Sequence, residues 1–159
     1  MRAETYELCW LTEQLALGNA PCSYEDLESI QRQGISAIVN LCAEYCDLHD
    51  IESSQGFAVY YLPVIDEGVP SLEELDKALD WVEEVISGGN KVLVHCRLGL
   101  GRTATFVTAY LLRKGFGLRT ARRKIEQVRG VSCSYCQWKL LRKYRKKCQK
   151  GLKEKSSEV

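Results

Sequence analysis

A chain of 159 residues holds one ordinary domain and leaves too little for a second. With 45% hydrophobic and 27% charged residues, it has the composition of a soluble globular protein, which excludes a disordered chain, a collagen and a small disulfide scaffold. The net charge of +1 hides a division: residues 1–90 hold 3 Lys and Arg against 18 Asp and Glu, and residues 91–159 hold 19 against 3, so the fold is either self-complementary or keeps a basic face for an anionic partner.

No apolar run approaches the roughly 18 residues that span a bilayer. Glu4, Glu13 and Gln14 interrupt the stretch where an export signal carries its apolar core. The 8 cysteines are too sparse for a secreted scaffold. A reducing cytoplasm is the expected compartment, or the nucleus if the host is eukaryotic.

In chain order, Leu8–Leu11 and Gln14–Leu17 read as a small hairpin. Ser23 is placed as an N-cap with Asp26 three residues on, Leu27 and Ile30 share a face, and Gly34 stops the helix. Ile35–Leu41 and Phe57–Leu62 are β-branched or aromatic and predict strands. Ser71 and Glu74 form a capping-box pair ahead of Leu72, Leu75, Leu79, Val82 and Ile86, spaced by three and four. Lys91–His95 predicts a strand buried on both faces. Helices follow at Thr103–Lys114, with Gly115 just beyond, then at Arg119–Arg129 and Ser134–Gln149. Strands alternating with helices predict an α/β domain, a mostly parallel sheet flanked by helices, with its site at a strand's carboxyl end. The domain is expected over residues 1–150, with a basic, frayed tail at 151–159.

At that strand end stands His95-Cys96-Arg97-Leu98-Gly99-Leu100-Gly101-Arg102-Thr103. A strand, a tight glycine-bearing loop and a helix make a phosphate cradle, because successive N–H groups turn inward and the helix N-terminus adds positive potential. The same field favours thiolate over thiol, so Cys96 is expected to be a nucleophile with a depressed pKa. Arg102 can return across the loop with a planar fork for two oxygens, and Thr103 can bring a hydroxyl near the sulfur. A nucleotide P-loop needs a lysine and a spacing this loop lacks. A thioredoxin site needs a second cysteine three residues on.

His95-Cys96, five further residues and Arg102-Thr103 resemble the signature of the cysteine-based protein tyrosine phosphatases, and the short chain resembles their compact dual-specificity branch. Leu15–Gly18 with Asp26-Leu27, and Val39-Asn40-Leu41, are similar to that branch's first elements. The resemblance implies Cys96 as nucleophile and Arg97, Leu98, Gly99, Leu100, Gly101 and Thr103 as the substrate cradle. It implies Asp66 as the acid, thirty residues earlier, with Glu67 as the alternative. His95, Asn40 and Gln137 are implied as supporting residues. Arg129-Gly130 resembles an Arg-Pro-Gly turn without its proline, and Ala104 stands where the family usually has glycine. The implied reaction is hydrolysis of phosphate monoesters on protein tyrosine, and on serine or threonine, through a phosphocysteine; it needs no metal or cofactor, since Arg102 and the loop amides supply the charge.

Two rivals share these residues: a phosphoinositide or RNA 5′-phosphatase of the same fold, and a phosphoprotein-binding module without turnover. Arg97 is a further cation for a polyanion, whereas Leu98 and Leu100 are not; Cys96, Arg102 and Asp66 together argue for turnover. Cys133 and Cys136 have the spacing of a metal half-site, which Cys42 and Cys46 could complete, and reduced thiols are the simpler reading. A low-pKa accessible thiolate oxidises readily, with Cys42, Cys46, Cys133 and Cys136 as candidate resolving thiols. The run Arg142–Lys147 predicts a solvated helix face or a surface for an anionic partner; nucleic acid is not favoured, since aromatic interleaving is missing. Trp10, Trp81 and Trp138 are assigned to the core or its margin.

Overall fold

The computed structural model describes residues 5–157, with side chains as far as Gly151. Met1–Glu4 and the last two tail residues lie outside the described residues. Five strands form one sheet: β1 (Cys9–Trp10), β2 (Leu15–Gly18), β3 (Ile35–Cys42), β4 (Ala58–Val64) and β5 (Lys91–His95), in the order β1-β2-β5-β3-β4. All pairings are parallel except β1 with β2, the expected hairpin. Six helices flank the sheet: α1 (Tyr24–Arg32), α2 (Leu48–Ser54), α3 (Leu72–Ser87), α4 (Arg102–Arg113), α5 (Leu118–Glu126) and α6 (Tyr135–Ser157).

The central strand is β5, whose Val92, Leu93 and Val94 are wholly buried. Each such side chain contributes about 1.5–3 kcal/mol by leaving water. Alternate residues serve opposite faces: Leu93 joins Ile38, Ala16, Ile30 and Phe57, while Val92 and Val94 join Leu79, Val82, Val107 and Leu141. A thin layer of α1 with Tyr6 and Ile51 therefore covers one face, and the larger set α3–α6 covers the other.

The expected caps form. Ser23 Oγ accepts from Asp26 N–H at 3.1 Å, and Ser71 and Glu74 exchange both bonds of a capping box. Two expectations need correction. Helix α2 is absent from the sequence reading, because it has only seven residues and its N-cap, Asp47, makes no side-chain capping bond. The last helix also runs beyond its expected end at Gln149, since the backbone stays helical through Ser157.

The register places the strand ends level at one edge of the sheet. Gly18 of β2 and Asn40 of β3 both lie beside His95, so everything that follows His95 starts from a fixed platform.

Candidate active site

From His95 the chain turns through 96–101 and enters α4, whose N-cap Gly101 has no side chain to cap the helix, with no acid in the first turn. Such an end leaves N–H groups open to an anion. The loop reaches this shape through Gly99, which has φ +75 and sits so close that an added Cβ would lie 2.5 Å from the Gly18 carbonyl oxygen. Only glycine combines that dihedral with that approach. The Gly99 N–H consequently points at Cys96 Sγ, 3.2 Å away.

Neighbours hold the loop from outside. Ala20 N–H donates to Arg97 O at 2.9 Å, Ser132 N–H to Leu100 O at 2.8 Å, and Arg129 to the carbonyls of Leu98 (2.5 Å) and Gly99 (3.1 Å). Arg129 thus fixes the carbonyls outward even though its turn lacks the proline.

Arg102 is 4% exposed, and its fork is already half engaged. Nη1 donates to Glu44 Oε1 (2.5 Å) and to Val64 O (2.7 Å), and Nη2 to Glu44 Oε2 (2.9 Å). A guanidinium has five N–H groups, so Nε–H and one N–H of Nη2 remain, and they form a parallel edge of the kind that can bind two oxygens of one anion. Burial alone would lower the Arg102 pKa, but Glu44 and the Cys96 sulfur outweigh it and raise it above the ordinary value. In return Arg102 holds the Glu44 carboxyl at about 2. Burial, then Glu44, pushes the Cys42 thiol up to about 12, so Cys42 is no thiolate.

Glu44 escaped the sequence reading, since 58 residues separate it from Arg102. Thr103 Oγ1 is buried and has no hydrogen-bond partner among the described residues.

Asp66 follows β4 on a turn closed by Gly68 N–H to Ile65 O at 2.8 Å. Its Oδ1 lies 3.8 Å from Arg102 Nη2, and its side chain is 76% exposed. Glu67 adopts φ +62, the left-handed region. The start of α6 holds this turn, with Ser134 Oγ donating to Glu67 O (2.8 Å) and Gln137 Nε2 to Gly68 O (3.1 Å). Asp66, Cys96, Leu98, Arg102, Cys133 and Gln137 line one open cavity of about 270 Å³. The folded chain thus brings together residues from β4, β5, α4 and α6 that sequence spacing alone could only nominate. Asn40 and His95 lie behind the cavity rather than in it, joined through Glu52, which the sequence reading also missed.

All eight cysteines are unpaired. Cys133 shares the cavity with Cys96 and burial raises its pKa, while Cys46 and Cys136 are exposed.

A family model described as "Tc-R-P: Polymorphic toxin system, DSP-PTPase phosphatase" matches residues 16–116, more than half of the chain. The chain belongs to that dual-specificity branch of the cysteine-based phosphatases. Among the branch's curated members, the dual specificity protein phosphatase PHS1 of Arabidopsis thaliana is 30% identical over 128 residues, covering 79% of this chain and 14% of that protein. Human dual specificity protein phosphatase 2 is 33% identical over 114 residues, covering 69% and 35%. The chain therefore spans only a small part of these two relatives. The crystal structure of Tk-PTP in the active form superposes with a TM-score of 0.79 at 29% identity, covering 87% of this chain and 96% of that one. The family model runs from β2 through the 96–101 loop and α4, and the α/β phosphatase fold expected from the sequence is the fold of the molecule.

Proposed function

We propose that this phosphatase-family chain hydrolyses phosphate monoesters on protein tyrosine, and on serine or threonine, through a phosphocysteine. The observation that carries the reading is the convergence of Cys96 Sγ, an inward Gly99 N–H and the free edge of Arg102 in a cavity that Asp66 also lines. The phosphoryl group sits over the sulfur with its oxygens on the loop amides and Arg102. The thiolate attacks phosphorus, the ester P–O bond breaks, and Asp66 gives its proton to the leaving oxygen. Water then attacks the phosphocysteine, Asp66 takes one of its protons, and inorganic phosphate leaves with the thiolate regenerated. Charge development is met by groups already in place, which is the main source of such rate acceleration.

Arg97 is the one cation besides Arg102 that lines the cavity among the described residues, and so few positive charges favour a singly phosphorylated protein group over a polyphosphorylated lipid head or an RNA 5′ end. The exposed Arg142, Lys143, Arg145 and Lys146 of α6 have no salt bridge among the described residues, and they are assigned to an anionic segment of the phosphoprotein. A free Cys96 requires a reducing compartment, in keeping with a cytoplasmic enzyme.

The test is a panel of phosphopeptides, a phosphoinositide series and 5′-triphosphorylated RNA presented to the purified protein. Phosphopeptides should give the highest kcat/KM. Preference for either polyanion would replace this reading, and phosphopeptide binding without turnover would make the chain a binding module.

A further inference from the structure

Glu52 is the one acid among the described residues that is wholly buried, and the reaction above assigns it nothing. It stands on α2, with no Lys or Arg beside it among the described residues. Both carboxyl oxygens are used: Oε1 accepts from Asn40 Nδ2 at 2.8 Å, and Oε2 meets His95 Nε2 at 2.6 Å. The other ring nitrogen of His95, Nδ1, lies 3.0 Å from the Cys96 carbonyl oxygen. A carbonyl oxygen only accepts, so Nδ1 carries a proton. A second proton lies between Nε2 and Oε2, since two bare lone pairs would repel at that distance.

We propose that Glu52 is a positioning residue for the nucleophile. Through His95 it holds the Cys96 carbonyl away from the cradle, so that the peptide groups that follow turn their N–H groups toward Sγ. Asn40 fixes the carboxyl plane, and α2 supplies the carboxyl group from behind the sheet edge. Without Glu52 the imidazole is free to move its proton to Nε2 or to rotate, which would set a bare Nδ1 against the Cys96 carbonyl. Second partners of this kind fix the tautomer and orientation of functional histidines elsewhere. Other ionisable groups line the cavity with the sulfur, namely Arg97, Arg102, Asp66, Glu67 and Cys133, and Glu44 and Cys42 act on Arg102. Only the Glu52–His95 pair reaches the sulfur through the Cys96 carbonyl. The kinetic part of the proposal rests on the phosphocysteine reading, and the chemical part does not.

The test compares Glu52→Leu with Glu52→Gln. Leucine fills the space without polar atoms, while glutamine can offer an oxygen to Asn40 and an N–H to His95 Nε2. The readouts are the rate at which iodoacetamide alkylates Cys96 at a fixed, mildly acidic pH, and kcat and KM for a phosphotyrosine peptide. Glu52→Leu should lower alkylation and kcat about tenfold, as a tenfold loss of reactive thiolate would, with KM little changed, and Glu52→Gln should recover most of both. A Glu52→Leu protein that alkylates and turns over like the parent, or a Glu52→Gln protein as impaired as Glu52→Leu, overturns the proposal. If Glu52→Leu does not fold, ring ¹⁵N spectra of the unaltered protein decide, since a bare His95 Nδ1 is incompatible with it. Turnover retained in Cys96→Ser would sink the phosphocysteine reading alone, because alkylation needs no turnover.

Discussion

The two walls of the cavity are built to different standards. On the cradle side His95, Cys96, Arg102 and Thr103 are all at most 4% exposed, and the backbone N–H groups of Ala20 and Ser132 together with the Arg129 guanidinium fix the loop carbonyls. On the acid side Ile65 is 74% exposed and the turn hangs on Ser134, Gln137 and its own Ile65–Gly68 bond. The difference suits the tasks proposed for the two walls. Groups that stabilise developing charge act only if oriented before the substrate arrives, whereas a proton donor must let the substrate in and the product out.

The hardest blow to this comparison falls on the cradle. Cys96→Ser should abolish hydrolysis while phosphate or vanadate binding persists, because the cradle's N–H groups and Arg102 remain. Arg102→Lys should cost on the order of 10²–10³ in kcat/KM and also weaken vanadate, since a point charge replaces a fork that serves Glu44 on one edge and phosphate on the other. Near-normal kinetics in Arg102→Lys would mean that the free edge is not used.

The acid wall breaks differently. Asp66→Asn should slow alkyl and unactivated aryl phosphates by about 10²–10⁴, and substrates whose leaving group is already a stable anion far less. The basic limb of the kcat pH profile should vanish with it, and the acidic limb should stay. If Glu67→Gln removes that limb instead, the proton comes from the neighbouring residue.

What the sequence disclosed divides along the same line. The cradle is contiguous, from His95 to Thr103, and its strand and helix have strong local signals; the hairpin, α1, α3 and Gly115 were legible for the same reason. Glu44, Glu52 and Arg129 were not assigned their roles, because each acts on a partner 30 or more residues away, and local patterns say nothing of such pairs. Helix α2 hid behind its short length. Asp66 was nominated only by resemblance, and its approach to Arg102 is a tertiary fact.

Glu44 braces Arg102 and gives a smaller, pH-dependent effect. Its carboxyl is held at about 2, below the ordinary 4.5, so the folded state binds its proton less readily than the unfolded state. The stability it contributes is therefore complete above about 4.5 and is lost as pH falls toward 2. The gap in Tm between the parent and Glu44→Gln should be widest near neutrality and close through that window. At neutral pH kcat/KM should fall by about tenfold to a hundredfold, the scale of a catalytic group misplaced by an ångström or less. A Tm gap independent of pH would show that the ion pair with Arg102 is not what Glu44 contributes.

The smallest effect is expected at Glu67, and it separates stiffness of the acid wall from its chemistry. Glu67 is the one non-glycine residue with positive φ among those described, a conformation that costs about 1–2 kcal/mol for a residue with a Cβ. Glu67→Gly removes that cost, but glycine loses more chain entropy on folding, about 0.5–1 kcal/mol. The net should be a gain of at most about 1.5 kcal/mol, read as a rise in the urea midpoint with an unchanged m-value. The bonds from Ser134 and Gln137 go to the backbone carbonyls of Glu67 and Gly68, so the substitution leaves them in place and the basic limb of the pH profile should persist. A lower midpoint would mean that the Glu67 side chain stabilises the turn in a way its exposure does not suggest. An unchanged midpoint with a lost basic limb would make Glu67 the acid and leave Asp66 a spectator on the rim.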